Sequence, residues 1–207
     1  VSDGTSSVSG IITIDVSDFN YAPTVIDYTF SVDENVPNGT EVGTVDATDP
    51  DGDALAYSIT SGNESAVFAI DPSSGMSSVL DSTQLDFETV AEYILEVSVS
   101  DGTNSVMSTV TIDINDINEA PSLAPYSFAI DENVASGTLV GTLEATDPEE
   151  DNILFQIMSG NESGAFALDP STGALSVNDS LALDYESNTQ FVLEVMVADL
   201  NNSSSNS

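Results

Sequence analysis

Phe30-Ser31-Val32-Asp33-Glu34-Asn35-Val36 returns as Phe128-Ala129-Ile130-Asp131-Glu132-Asn133-Val134, each residue 98 positions after its counterpart. The same interval carries Ala47-Thr48-Asp49-Pro50 onto Ala145-Thr146-Asp147-Pro148, and Leu85-Asp86-Phe87-Glu88 onto Leu183-Asp184-Tyr185-Glu186. Ser61-Gly62-Asn63-Glu64-Ser65 recurs as Ser159-Gly160-Asn161-Glu162-Ser163, with no insertion or deletion. A unit near 100 residues is the size of one small domain. Outward from these anchors, Val1-Ser2-Asp3-Gly4-Thr5 matches Val99-Ser100-Asp101-Gly102-Thr103, and Asn20…Ala22-Pro23 matches Asn118…Ala120-Pro121. The interval therefore predicts three parts in the 207 residues. Residues 1–23 read as the last strand and linker of a preceding or donated repeat. Residues 24–121 read as a complete repeat with its linker, and 122–207 as a second repeat lacking its last strand.

Inside a repeat the apolar residues alternate. Tyr93, Leu95, Val97 and Val99 alternate with Ile94 and the polar Glu96 and Ser98, and Val110, Ile112 and Ile114, in step with Val106, alternate with Thr111 and Asp113. A period of two puts such residues on one face of a strand, so both runs read as half-buried strands. Shorter strands are predicted around residues 27–32, 41–47, 55–60, 67–70 and 76–80, between Gly, Pro, Asn and Asp turn signals. No segment carries an apolar stripe at helical spacing with caps. The reading is all-β, with tandem seven-stranded Greek-key β-sandwiches of the immunoglobulin-like kind arranged end to end. Another all-β barrel is the alternative.

The chain holds 36 Asp and Glu and no Lys, Arg, His or Cys. No side-chain salt bridge can form, so each carboxylate must face water, a hydrogen-bond donor or an external cation. An apolar fraction of 40% keeps the chain in the globular class rather than among acidic disordered tails. No apolar run reaches the ~20 residues of a membrane span, and the missing initiator Met and signal sequence read as a mature or excised segment. Nucleic acid and direct membrane insertion are excluded as modes of action for want of basic or long apolar segments. Catalysis would fall to Asp, Glu, Ser, Thr or Tyr. A two-carboxylate glycosidase survives that test, although the chain has no Trp to build a sugar platform.

Some of the acids are gathered. Asp49/Asp51, Asp86/Glu88, Asp147/Glu149 and Asp184/Glu186 each stand two residues apart. In extended chain such a pair points to one side, and two charges ~6–7 Å apart repel by roughly 2–3 kcal/mol at an effective dielectric near 20. A divalent cation between them reverses the sign of that energy. An all-oxygen donor set suits Ca²⁺, whereas zinc is disfavoured without His or Cys. A solvated acidic turn is the alternative for any single pair. Asp49-Pro50-Asp51-Gly52-Asp53 is not an EF-hand, since its Gly falls two places early and Thr60 stands where the bidentate acid belongs.

Taken together, these segments resemble the cadherin repeat over nearly the whole chain. Glu34 and Glu132 stand in Asp-Glu-Asn segments that resemble the family's first ligand motif. Leu85-Asp86-Phe87-Glu88 and its counterpart resemble Leu-Asp-Arg-Glu, with an aromatic residue in place of Arg. Asp116-Ile117-Asn118-Glu119-Ala120-Pro121 is similar to the Asp-x-Asn-Asp-Asn-x-Pro linker, in a shortened form familiar from bacterial members. Asp49-Pro50-Asp51 and Asp147-Pro148-Glu149 resemble Asp-x-Asp, and Asp101 and Asp199 match the remaining aspartate. The resemblance implies several calcium ions at the junction between repeats. Glu34, Asp86 and Glu88 would come from the first repeat and Asn118 and Glu119 from the linker, with Asp116 beside them. Asp147, Glu149 and Asp199 would come from the second repeat. The earlier linker departs from the pattern, because Tyr21 stands where Glu119 does, and a junction there would hold fewer ions or hold them more weakly.

The resemblance also implies an extracellular, non-enzymatic structural or adhesive protein at the cell surface. Its partners would be neighbouring repeats or like subunits head to tail, with cell-surface or matrix ligands beyond. Residues 6–17 read as a strand without a sandwich, with Val8, Ile12, Ile14 and Val16 on one face, while the second repeat has a slot without a strand. Two arrangements follow. The chain is a slice of a long single-chain adhesin array, or its early strand completes the second repeat of a neighbour and propagates a filament. In the filament, Asn20, Asp49, Asp51 and Asp101 would meet Glu132, Asp184 and Glu186 of the neighbour around calcium. Two rivals remain, a carbohydrate-binding accessory region of a secreted enzyme and a halophile's acidic surface with no specific metal. Sequons at Asn38, Asn63, Asn161 and Asn178 permit glycosylation.

Overall fold

The computed structural model describes residues 4–7 and 9–200. The chain divides into two compact units, Val1–Asn115 and Asp116–Ser207. Strands make up both, and no α-helix occurs among the described residues.

The first unit holds β1 (Thr24–Val25), β2 (Tyr28–Asp33), β3 (Glu41–Thr44), β4 (Ala47–Thr48), β5 (Ala56–Ser61), β6 (Phe68–Ile70), β7 (Met76–Val79), β8 (Glu92–Ser100) and β9 (Ser105–Asn115). One sheet has the order β2-β9-β8-β5, a second β3-β7-β6, and β1 pairs with β4. The central strand β9 is antiparallel to β8 and parallel to β2, with Tyr28 opposite Val110, Phe30 opposite Ile112 and Val32 opposite Ile114. The alternation read from the sequence is realised here. Ser108, Val110, Ile112 and Ile114 of β9 are buried, as are Leu95, Val97 and Val99 of β8. They meet Val45, Phe68, Val79 and Leu85, the last following a single 3-10 turn at Ser82–Gln84. Burying each large aliphatic side chain contributes about 1.5–3 kcal/mol, which sets β9 and β8 as the centre of the core.

The second unit repeats the pattern with β10 (Ser122–Leu123), β11 (Leu139–Thr142), β12 (Ala145–Thr146), β13 (Ile153–Ser159), β14 (Phe166–Leu168), β15 (Ala174–Val177) and β16 (Glu194–Asp199). Its sheets are β11-β15-β14, β13-β16 and β10-β12. Residues 126–131, the counterpart of β2, carry no strand. In the first unit it is β9 that pairs with β2, and among the described residues no strand stands beside 126–131. Strand character belongs to the ladder rather than to one segment.

The strand expected over 6–17 is likewise not a strand of this structure. Ser7 forms an isolated bridge, residues 9–23 carry no helix or strand, and Val8 lies outside the described residues. Ile11 is 97% exposed, with Ile12, Ile14 and Val16 exposed beside it. An alternating apolar pattern needs a neighbouring strand to become a ladder.

Candidate metal centre

In each unit the acids gather at the two ends of the sheets, and each end is built by a different device. At the end where β8 passes to β9, the linker bends onto the unit through its own polar groups. Asn20 Nδ2 donates to Asp101 Oδ2 at 2.8 Å, and the Tyr21 amide donates to Asp51 Oδ2 at 2.7 Å. The second unit copies this, with Asn118 Nδ2 donating to Asp199 Oδ2 at 3.3 Å and the Glu119 amide to Glu149 Oε1 at 2.9 Å.

The first aspartate of each Asp-Pro pair does two jobs with its two oxygens. Asp49 Oδ1 accepts from the amides of Asp51 and Asp53, at 2.8 and 3.2 Å, and fixes the turn. Asp147 Oδ1 accepts from the Asp151 amide at 3.0 Å. The other oxygens, Asp49 Oδ2 and Asp147 Oδ2, are buried with no N–H or hydroxyl donor in reach, and so is Glu149 Oε2. A buried carboxylate oxygen without a donor costs free energy unless a cation or proton satisfies it. Burial accordingly pushes the Asp147 carboxyl up, and the adjacent Glu149 charge adds to the rise. Contact with the Glu119 carboxyl holds Glu149 below its ordinary range. Asp101 is also held low, chiefly by the Asn104 amide, which donates at 2.6 Å.

At the opposite end, where β9 finishes, Glu34 is 2% exposed and its Oε2 accepts from the Phe87 amide at 2.8 Å. This bond draws the Leu85-Asp86-Phe87-Glu88 loop onto the Asp-Glu-Asn turn, whose Asn35 adopts a left-handed φ of 59°. Glu34 and Glu88 each bring an oxygen within 4.8 Å of the other. In the second unit Glu132 Oε2 accepts from the Tyr185 amide at 2.9 Å, and oxygens of Glu132, Asp184 and Glu186 lie within 4.8 Å of one another. The Ser187 hydroxyl holds Asp184 low. Asp116 and Glu149, both in the second unit, also approach within 4.8 Å. Asp86 has its Oδ1 engaged by the Thr89 amide.

Each acid singled out in the sequence therefore stands at one end of its own unit. Sequence reasoning missed Asn104, which donates to both Asp101 and the Asn20 carbonyl at 3.5 Å; its place three residues after Asp101 in a Gly-containing turn was the available signal. The sequon residues Asn63, Asn161 and Asn178 spend their side-chain amides on backbone carbonyls of Phe68, Phe166 and Gly164. The stacked rings Tyr28–Phe30 and Tyr126–Phe128, centroids 5.5 and 5.7 Å apart, recur in both units. They are a shared feature of the two repeats.

The donor set is oxygen only, partly buried and partly without donors, and it suits a hard divalent cation such as Ca²⁺. Fold and acidic ends together define a tandem β-sandwich protein with carboxylates clustered in both units. The cadherin domain model matches residues 28–115 and 126–207, and the chain belongs to the cadherin family. It is similar to cadherin-related family member 1 of Rattus norvegicus, 29% identical over 93% of this chain and 24% of that protein. It is also similar to human protocadherin-23, 36% identical over 91% of this chain and 6% of that one. The chain thus spans about a quarter or less of these relatives. Among solved structures, human protocadherin-24 EC1-2 Form II shares the fold, with TM-score 0.67 and 23% identity over 87% of this chain and 88% of that one. The human desmocollin-1 ectodomain matches with TM-score 0.54 and 29% identity over 86% of this chain and 37% of that one. Cadherin domains are extracellular adhesion modules and not enzymes.

Proposed function

We propose that these two domains are a calcium-rigidified segment of an extracellular structural or adhesive protein. The ligands are Glu34, Asp86 and Glu88 of the first unit with Asp116, Asn118, Glu119, Asp147, Glu149 and Asp199 of the second. The observation that carries this reading is the pair of buried, donor-less oxygens Asp49 Oδ2 and Asp147 Oδ2 at the same place in both repeats. One oxygen of each aspartate builds the turn while the other is left for a cation. Calcium supplies positive charge that the chain, with no Lys, Arg or His, does not contain. At free calcium ~100 times Kd, one site adds about 2.7 kcal/mol of stability.

The same set recurs as Asn20, Asp49, Asp51 and Asp101 at one end of the chain's first unit and Glu132, Asp184 and Glu186 in the second. We infer that these complete a calcium junction between successive copies, which join head to tail into a filament. The length of the relatives favours a second arrangement, in which the same residues serve adjacent repeats of one long chain.

Thermal unfolding in millimolar calcium and in chelator tests the calcium reading. Calcium should raise the midpoint, and Glu88→Ala should lower it in calcium while changing little in chelator. A midpoint indifferent to calcium would leave the acids as a solvated surface.

A further inference from the structure

Among the described residues, Asn38, Asn63, Asn161 and Asn178 each begin an Asn-x-Ser/Thr triplet. Such a triplet accepts an oligosaccharide on Nδ2, so what the fold already asks of that atom decides whether a glycan fits. Asn63 and Asn161 are half-buried and spend both side-chain polar atoms on one residue. Asn63 Nδ2 donates to the Phe68 carbonyl at 2.7 Å, while its Oδ1 accepts from the Phe68 amide at 3.1 Å. Asn161 does the same with Phe166, at 2.8 and 3.0 Å. Because both bonds close on one residue, the hydrogen given away is the one on the Oδ1 side of the side-chain amide. A glycosyl amide is a secondary amide, and its trans preference puts the sugar carbon on that same side. The sugar would displace the bonded hydrogen and cost the fold that bond. These turns also lie tight against the sheet, since a side chain at Gly62 would collide with the Ile94 carbonyl and one at Gly160 with the Val192 carbonyl. Asn178 gives one Nδ2 hydrogen to the Gly164 carbonyl at 2.8 Å and keeps the other, so its geometry does not discriminate.

Asn38 differs on each count. It is exposed, in the turn between β2 and β3. The bond it makes is an accepted one, Oδ1 taking the Ser82 amide at 2.7 Å, and Nδ2 makes no hydrogen bond among the described residues. The turn is held by other groups, with the Gly39 amide donating to the Val79 carbonyl at 2.7 Å and the Thr40 hydroxyl to the Pro37 carbonyl at 2.8 Å. The space beside it is open, and a side chain at Gly39 would meet nothing within 4 Å. The second unit keeps the same turn, with Gly137 donating to the Val177 carbonyl at 2.7 Å and the Thr138 hydroxyl to the Ala135 carbonyl at 2.7 Å. It has Ser136 at the place of Asn38, so the triplet is broken there.

We propose that Asn38 is the N-glycosylation site of the first unit, and that Asn63 and Asn161 stay unmodified in the folded chain. The co-reactant is an oligosaccharide carried on a lipid diphosphate, met in the secretory compartment through which an extracellular protein passes. Asn38 Nδ2 forms a bond to the anomeric carbon, and the bond from that carbon to the diphosphate oxygen breaks. The lipid diphosphate leaves with the bonding electrons, and Nδ2 releases one proton. Oδ1 remains a carbonyl oxygen throughout, so its bond to the Ser82 amide survives the modification.

The test secretes the full chain from a eukaryotic host behind a leader peptide. Glycans are then removed by a peptide amidase in heavy-oxygen water, which turns each occupied Asn into labelled Asp. Site-resolved mass spectrometry of the secreted chain should find the label at Asn38 and none at Asn63 or Asn161. Thr40→Ala should abolish the label at Asn38 while keeping its bond to Ser82, which the triplet's hydroxyl does not make. Ser136→Asn, at an exposed position, should add a glycan to the same turn of the second unit. Chain retained in the cells is mapped alongside, so a variant that fails to leave is still read. An unlabelled Asn38 overturns the site. Label at Asn63 or Asn161 in the secreted chain overturns the exclusion of those two, and no label at position 136 in the Ser136→Asn chain overturns the claim that this open turn admits a glycan.

Discussion

Leu95 and Leu193 are one residue in two copies, yet the first is fully buried and the second half-exposed. The same divergence runs through the units. Val32 is 5% exposed and Glu34 is 2%, while their counterparts Ile130 and Glu132 are half-buried and exposed. Phe30 is partly buried and Phe128 is 39% exposed. The sequences of these segments are nearly interchangeable, so their composition does not explain the difference. It comes from β9. One central strand covers the floor of the core, gives β2 its ladder partner and brings the Asp-Glu-Asn turn onto Asn115, whose carbonyl accepts from the Glu34 amide at 3.2 Å. In the first unit one central strand thus links the floor of the core to a carboxylate at the end of the sheet.

That comparison can be broken by truncating the same side chain in both units. Leu95→Ala should destabilise the first unit by about 2–5 kcal/mol, the usual cost of emptying a closed core site. Leu193→Ala should cost the second unit of this chain about half of that or less, because the side chain is only half-buried there. Hydrogen exchange resolved by segment reads each unit separately. Equal losses would mean that β9 does not govern the packing.

A smaller effect should be the same in both units. Asp71 is lowered to about 2 by the hydroxyl and amide of Ser73 and by Ser74, and Asp169 is lowered to about 2 by Ser171 and Thr172. Both lie in the β6–β7 and β14–β15 turns, away from β9. A carboxylate whose folded value is depressed stabilises the fold above its unfolded value, near 3.8, and that contribution is lost as pH falls toward about 2. Asp71→Ala and Asp169→Ala should therefore each lower stability modestly at pH 5 and in chelator, with the difference from the parent shrinking as pH approaches 2. A difference that grows on acidification would contradict the assignment.

Much of this was legible in the residues. The alternation of Val110, Ile112 and Ile114 located β9, and the 98-residue interval located the two repeats that the cadherin domain model matches. The short strands were also placed well, because Gly and Asn turn signals bracket them. What could not be read was the state of residues 126–131 and 9–17, whose patterns are those of strands. A period of two records which face would be buried, and it carries no information on whether a neighbour is there to bury it. Nor could the division of labour within Asp49 and Asp147 be read, since one oxygen capping a turn and the other left donor-less is a matter of backbone geometry.

The calcium ligands are the centre of the account, and anomalous scattering from crystals grown in millimolar calcium measures them directly. The account predicts ions coordinated by Glu34, Asp86 and Glu88 together with Asp116, Asn118, Glu119, Asp147, Glu149 and Asp199, with Asp147 Oδ2 and Glu149 Oε2 each within about 2.6 Å of an ion. Well-ordered carboxylates at those positions with water and no anomalous signal beside them would contradict it.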